Sequence, residues 1–518
     1  MAYRVNVKNK KNGVTYVYEC VSFWDKEKKQ PGSKRTCIGK IDPKTGEFKP
    51  SKRLNPQQAA VRDPAVTATA KIVGPSLLLD HIVKEIGIRK ILKTAFPKDH
   101  LKLLTMAYYL TAQGGALSHC ENWSKQHDHP YRGTLSSQRI SENIRSIRLD
   151  AQQTFIKKWS EKVLEHDYLC YDITSVSSYS ELNEYLKYGY NRDREHLKQI
   201  NLALLFGQKS QLPIYYNRLP GNINDVSTLY NVLRSFGYMA LPKLHFVLDK
   251  GFFSERNIDA LLEARERFTL AVPMSRKWLQ QAIDEIRDDI QGPEGYRRIE
   301  GEVLYVHTQL YPWGKNRRRC YLHLYYNAHQ AADVAVAFTE RLLLYKQELE
   351  NDTRIHDHEE AYKTFFIIKE TPVRGRKVIY NDEVIKQYIR KYAGFFAILT
   401  NDFKDPVEAL MVYRNKDVVE KCFDDLKNQL DMKRLRVHDS AAMDGRLFVQ
   451  FIASILMSAL RKKMRASNLI EKYTIRELLG EMATLTKIKY SGKYGHIFTE
   501  VTKPQRHILT SFGLELPT

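Results

Sequence analysis

The chain has 518 residues, with 82 Lys and Arg against 60 Asp and Glu, a formal net charge of +22 and a pI near 9.4. That length allows several domains. The positive surplus points to a polyanionic partner: DNA, RNA or an anionic membrane face. A membrane role is disfavoured, because the longest apolar stretch, 447–460, carries Gln450 and two serines and is short of a bilayer span. Arg4, Lys8, Lys10 and Lys11 also interrupt any secretory core. The six cysteines (Cys20, Cys37, Cys120, Cys170, Cys320 and Cys422) form no close pairs. They read as free thiols in a reducing cytoplasm.

Residues 1–55 hold the densest charge: the first 53 positions carry 14 Lys or Arg against 5 Asp or Glu. TYVYECVSF alternates, Asn12-Gly13 ahead of it is a hairpin signal, and KRTCIGKI reads as another strand. A basic β-module for DNA contact is expected, with a solvated β-ribbon as the alternative. Residues 54–72 read as a polar linker. Over 56–165 helical periodicity dominates, in SLLLDHIVKEIGIRKIL and LKLLTMAYYLTAQ. Ser136 to Arg139 look like a cap and first turn, with Ile140, Ile144 and Ile147 on one face. Arg139, Arg145 and Arg148 project elsewhere. The pattern fits a helix-turn-helix recognition helix or an ordinary amphipathic one.

The texture changes at 168. DYLCYDITSVSS, INLALLFG and LPIYYNRLPG read as three strands, and Asn224-Asp225 caps a helix through Leu229 and Leu233. KLHFVLD is a short apolar strand ending at Asp249, Ser254 caps a further helix, and FTLAVP is a fifth strand. The order β-β-β-α-β-α-β predicts an α/β fold, a ribonuclease-H-like mixed sheet with flanking helices over 166–274. It resumes over 393–470, where FFAILT has buried-strand texture and Asp405-Pro406 opens a helix. Between them, 275–392 is expected to be a large β-containing insertion domain, and 471–518 a mixed C-terminal segment.

Three acids stand out. Asp172 shares a strand face with Cys170 and Thr174, where an unpartnered carboxylate is costly. Asp249 sits at a strand tip, outside the carboxyl edge of the sheet, where ligand crevices form. Tyr413, Lys416, Glu420, Phe423 and Lys427 step by three, four, three and four. A single helix over about 413–430 lines them on one stripe beside Val419, Phe423, Leu426 and Leu430. Glu420 then reaches the strand ends and Lys427 is set to hold a phosphate. Asp402, Asp417 and Asp424 are rival acids. The plainer readings are an Asp172 held by Thr174 or Ser175, a capping Asp249 and a solvated helix face. Brought together, the three acids make a site for two Mg2+ ions, with Mn2+ expected to substitute. Asp172 is then the shared ligand. The pairs His127/His129 and His356/His358 read as surface residues.

The spacing Tyr413-x2-Lys416-x3-Glu420-x6-Lys427 resembles the Y-x2-R-x3-E-x6-K signature of DDE transposases of the insertion-sequence-four group. Lys416 stands where that pattern has Arg, keeping the charge and losing the planar fork. DITS around Asp172, LDKGFFS around Asp249 and LPGNINDVSTL before it are similar to the family's acid blocks. The 171 positions from Asp249 to Glu420 are similar to its β-rich insertion. The resemblance implies a DNA transposase that cuts at the inverted-repeat ends of an insertion sequence and joins the 3′-ends to target DNA. Asp172, Asp249 and Glu420 would be catalytic and metal-binding, and Tyr413, Lys416 and Lys427 would lie on DNA. It further implies double-stranded DNA as partner, a homodimer in a synaptic complex, and a prokaryotic, nucleoid-associated cytoplasmic setting without a membrane. Members often use a hairpin intermediate, and an insertion-domain aromatic can stack on a flipped base. Trp313 is the candidate for that role, with Arg317 and Arg318 beside it on DNA; a β-turn with a solvated basic tip is the alternative. Two other readings are a transposase-derived DNA-binding protein that has stopped cutting and a ribonuclease-H-like repair nuclease. All three acids are present, which disfavours the first. The basic start, the long insertion and the Tyr/Lys helix disfavour the second.

Overall fold

Alternating apolar and polar side chains at the start of the chain form an antiparallel sheet of β1 (Ala2–Lys8), β2 (Thr15–Asp25), β3 (Gln30–Ile41) and β4 (Phe48–Pro50), in that spatial order. A computed structural model describes residues 2–10, 12–25, 30–51, 67–164, 168–180, 183–193, 195–223, 228–233, 244–371, 375–435, 439–491 and 495–517. The chain divides into two units, residues 1–71 with 486–499 and residues 72–485 with 500–517. The first unit also holds β5 (Ala68–Ile72), which pairs with a strand introduced below. Most of the expected linker lies outside the described residues, and its end is β5.

In the second unit, the described residues 74–163 form six α-helices. The helix Ser137–Arg145 starts where its cap was expected, with the Arg139 amide donating to the Ser136 hydroxyl at 3.3 Å. Its Ile140 and Ile144 are buried. They lie against the 27-residue helix Ser440–Ala466, where a Cβ on Gly445 would meet the Ile144 carbonyl oxygen at 2.0 Å. Arg145 pairs with Asp439 at 3.1 Å, so the apolar face of this helix and one of its arginines are engaged within the protein. Ser440–Ala466 is long and apolar enough to cross a membrane, and 94% of its apolar window is buried inside the protein. It packs against Gly74–Ile86 and His100–Ala112.

The centre of this unit is a mixed α/β layer. Its strands are β6 (Tyr168–Ser177), β7 (Gln199–Gly207), β8 (Pro213–Pro220), β9 (His245–Leu248), β10 (Arg267–Ala271), β11 (Tyr296–Ile299), β12 (Glu302–Trp313) and β13 (Arg318–Tyr326). A hairpin of β14 (Phe366–Thr371) and β15 (Gly375–Tyr380) stands apart, and β16 (Phe395–Thr400) returns to the sheet. The spatial order is β11-β12-β13-β16-β10-β9-β6-β7-β8. The pairs β6/β9 and β9/β10 are parallel, and β6/β7, β7/β8 and β10/β16 are antiparallel. Near-continuous apolar runs suit strands covered on both faces. Leu205, Phe246, Leu248, Phe268, Leu270 and Leu399 share one core with Ile258 and Leu261 of the helix Glu255–Glu263.

The stretch 275–392 is divided between two bodies of structure. β11–β13 extend the sheet through β16, with Tyr321 opposite Thr400 and Tyr326 opposite Phe395. The helices Ala328–Glu350 and Glu359–Phe365, with β14 and β15, enclose a core of their own around Phe338, Leu342, Leu349, Tyr362 and Val378. In the first unit, β17 (Thr486–Tyr490) lies between β18 (His496–Phe498) and β5.

Candidate active site

The parallel pair β6/β9 sets two acids side by side. Tyr171 is in register with Leu248, so the next residue on each chain is Asp172 and Asp249. β9 ends at Leu248 and a tight turn, Lys250–Phe252, follows. Asp249 therefore leaves the sheet at its carboxyl edge beside a strand that continues.

The Asp172 side chain is 18% exposed. Its Oδ1 accepts from the Ile173 amide at 2.8 Å and from the Arg192 guanidinium at 3.4 Å. Burial raises its pKa above the ordinary aspartate value, against the pull of Arg192, and the Asp249 charge adds to the rise. Asp249 behaves oppositely. Burial works against its ionisation, but the Tyr413 hydroxyl donates to it at 2.8 Å and Lys416 Nζ stands 4.0 Å away. With Lys250, these hold its carboxyl below the usual value. Two neighbouring carboxylates are thus pushed apart in proton affinity.

Glu420 lies on the helix Asp417–Asp424, whose Val419, Cys422 and Phe423 are buried. It is 56% exposed and accepts from Lys416 Nζ at 2.8 Å. Burial disfavours the Lys416 charge, but Glu420, Asp249 and Asp172 outweigh it and raise its pKa. All three expected acids act on this one ammonium group.

The single helix expected over 413–430 is not what forms. Tyr413 ends the helix Pro406–Arg414, the chain turns at Asn415, and Asp417–Asp424 begins a new helix with the Lys416 amide on the Tyr413 carbonyl at 3.1 Å. A π-helical turn, Asp425–Gln429, follows, with the Leu430 amide on the Asp425 carbonyl at 3.0 Å. Each such turn holds an extra residue, so Lys427 leaves the stripe of Glu420. It donates instead to Asp193 at 2.7 Å. Asp425, 5% exposed, is held by Arg461 at 2.6 Å.

Two of the rival acids have other partners. Asp402 pairs with His245 at 3.1 Å and with Arg267 at 3.2 Å. Asp424 accepts from Asn428, and Asp417 sits in the first turn of its helix. Trp313 differs from its expected base-stacking role. It is 6% exposed, its indole N–H donates to Asp259 at 2.9 Å, and its ring packs among Phe253, Trp278 and Tyr311. The aromatic cluster covers the ring, so a base finds no free face. Arg317 is exposed at the β12–β13 turn with φ +48°, and Arg318 begins β13. The histidine pairs are not uniformly superficial: His129 is 7% exposed, His127 stacks on Trp123 at 4.7 Å, and His358 bonds Glu348 at 3.0 Å. All six cysteines are free.

Sequence reasoning passed over the connection between β6 and β7. There Arg192 reaches Asp172, Asp193 meets Lys427, and Glu195 meets Arg434. Its run Arg192-Asp193-Arg194-Glu195 is a charge cluster without period, which gave no reason to tie it to the acids.

An all-carboxylate donor set suits a hard divalent cation such as Mg2+. Asp172 and Asp249 fit that chemistry as an adjacent pair beside Lys416-bound Glu420. Among the described residues, no three His, Cys, Asp or Glu side chains are spaced to hold a single ion. Glu420 turns to Lys416 and Asp172 to Arg192.

A model of the transposase DDE domain matches residues 164–456, which contain all three acids. Among solved structures, the cryo-EM structure of a piggyBac transposase synaptic complex with hairpin DNA is similar over 79% of this chain and 79% of that chain, with 10% identity and a TM-score of 0.39. No curated protein matches the chain. The matched segment covers more than half of the residues and spans the strands and helices that carry Asp172, Asp249 and Glu420, and the chain belongs to the transposase DDE-domain family.

Proposed function

We propose that the chain is the DNA transposase of an insertion sequence of the insertion-sequence-four group, cutting at inverted-repeat ends and joining the freed 3′-ends to target DNA. The observation that carries this reading is the β6/β9 register that sets Asp172 beside Asp249, with Lys416 4.0 Å from Asp249 and 2.8 Å from Glu420. The strand order β8-β7-β6-β9-β10, antiparallel then parallel, supports a ribonuclease-H-like core. Asp172, Asp249 and Glu420 would hold Mg2+, which would supply Lewis-acid chemistry at the phosphate.

The chain's own residues prepare that site. The Tyr413 hydroxyl fixes one oxygen of Asp249 and keeps it ionised. Arg192 and the Ile173 amide orient Asp172. Lys416 and Lys427 bring positive charge to the edge where phosphates would run, and the exposed turn at Arg317 and Arg318 adds a basic tip. The basic sheet β1–β4 is the proposed DNA-contact module, and a homodimer on nucleoid DNA the working assembly.

The test uses purified protein, Mg2+ and labelled DNA bearing the inverted repeats that flank the gene. Wild type is expected to nick at the repeat ends and join them to a second duplex. Glu420→Gln is expected to retain DNA without cutting it; a normal nicking rate in that variant removes Glu420 from the site.

A further inference from the structure

Three tyrosines in the connection from β6 to β7 are held out in solvent: Tyr179 is 72% exposed, Tyr188 58% and Tyr190 86%. Single exposed aromatics are ordinary on a protein surface. Here two flank one glycine, and the backbone beneath them is fixed. Lys187 and Gln199 exchange amide hydrogen bonds at 3.1 and 3.0 Å, and the Gln199 side chain donates to the Tyr190 carbonyl at 2.9 Å. A Cβ on Gly189 would meet the Gly221 carbonyl oxygen at 2.0 Å, and one on Gly221 would meet the Gln199 carbonyl oxygen at 2.2 Å. The segment is pressed onto the neighbouring backbone with no room for side chains between. Tyr188 is also stacked on His196, with centroids 5.4 Å apart. Rings presented on an ordered backbone lose little entropy when something stacks on them.

The platform adjoins the candidate active site. Arg192, which touches Asp172, lies two residues after Tyr190, a chain reach of no more than about 7 Å. The Arg192 amide donates to Ser175 Oγ and the Asn191 side chain to Ser177 Oγ, each at 3.0 Å, tying the segment to β6. Tyr179, with the Arg434 guanidinium 5.5 Å from its ring centre, opens onto a cleft of about 880 Å³. Lys427, Lys433, Arg434 and Arg476 line that cleft; Asp193 holds Lys427 and Glu195 holds Arg434, so Lys433 and Arg476 supply its surplus positive charge. Tyr179 itself lines the cleft, and Tyr190 lies three residues before Asp193, which holds the cleft residue Lys427. Aromatic faces near cationic side chains suit an unpaired nucleic-acid strand: the rings take bases and the cations take phosphates.

We propose that Tyr188 and Tyr190 form a stacking platform for unpaired nucleotides of a DNA strand whose phosphates follow the Lys427, Lys433, Arg434 and Arg476 cleft toward Asp172. This rests on the transposase reading for the identity of the nucleic acid. The test measures fluorescence anisotropy of the full chain, in EDTA, with two labelled probes: a blunt duplex and the same duplex with a short single-stranded overhang. The double variant Tyr188→Ala with Tyr190→Ala is expected to weaken overhang binding at least about tenfold and to leave the blunt duplex within about twofold. Tyr188→Phe with Tyr190→Phe keeps the rings and both affinities. Equal weakening of both probes, or an overhang affinity unmoved by loss of the rings, overturns the platform. Because no cutting is measured, absence of nicking by wild type would sink the transposase reading and leave this result standing.

Discussion

Lys416→Met tests whether one ammonium group balances Asp249 and Glu420. At 4 Å, two opposite unit charges attract by about 4 kcal/mol at an effective dielectric of ~20, and by about 1 kcal/mol in bulk water. Asp249 is 40% exposed and Glu420 56%. Water therefore screens both pairs, and the lower figure governs each. Losing them should destabilise the protein in EDTA by about 1–2 kcal/mol, read as a shift in the urea midpoint at neutral pH with unchanged m-value. Lys416→Arg keeps the charge and should stay within about 0.5 kcal/mol of wild type. Adding Mg2+ should narrow the gap, because a ligand that binds only the folded state stabilises by mass action and binds better where no internal cation competes. A methionine variant as stable as wild type in EDTA, or a gap that Mg2+ leaves untouched, refutes the view that Lys416 balances this cluster.

Tyr413→Phe removes the hydroxyl that helps hold Asp249 below its ordinary value of 3.8. A depressed carboxyl contributes stability that is complete above the unfolded value and fades as pH falls through the folded one. The acid-unfolding midpoint of the variant, followed by circular dichroism, should therefore move to higher pH. Asp172 runs the other way: its raised pKa costs stability as pH climbs from the unfolded value through the folded one, so Asp172→Asn should flatten that part of the curve. Arg461→Ala leaves the buried Asp425 charge without its cation, with only the Gln429 amide at 2.9 Å, and should cost about 3 kcal/mol in urea unfolding. Trp313→Ala should cost about 3–5 kcal/mol, while the DNA affinity of the fraction still folded stays at the wild-type level; a stable variant with weakened DNA binding would return Trp313 to the DNA.

Much of the sheet was legible because burial leaves few choices. FVLD and YLCYD read as strands since an apolar run that short suits little else, and an acid within or at the end of one invites a functional reason. The register that sets Asp172 beside Asp249 was beyond reach, since it depends on β6 and β9 pairing residues 77 positions apart, such as Tyr168 with His245. Trp313 misled for a related reason. Its basic, turn-like neighbours Gly314 to Arg319 suggested exposure, but the indole belongs to the strand before the turn, and Phe253 and Trp278 approach it from distant parts of the chain.

The spacing of Tyr413, Lys416, Glu420 and Lys427 carries less geometry than a helical wheel assumes. A stripe at three- and four-residue steps assumes a single straight axis. Here the regular hydrogen bonding is interrupted at Asn415 and Lys416, where i→i+3 bonds tighten the turn between two short helices. Tyr413, at the end of one helix, reaches back to Asp249, while Lys416, at the start of the next, reaches both Asp249 and Glu420. The π-helical turn then gives Lys427 a separate anionic partner, Asp193, on the same connection that carries Arg192 to Asp172. The spacing of Tyr413, Lys416, Glu420 and Lys427 is therefore better understood as a set of reaches from two short helices to the sheet edge and its covering loop. Restoring a continuous helix through 415, for instance with Asn415→Ala, should strain the Tyr413–Asp249 bond by favouring the geometry that the helical wheel assumed. A variant whose acid-unfolding midpoint stays at the wild-type value, instead of following Tyr413→Phe to higher pH, would show that the break has no part in holding Asp249.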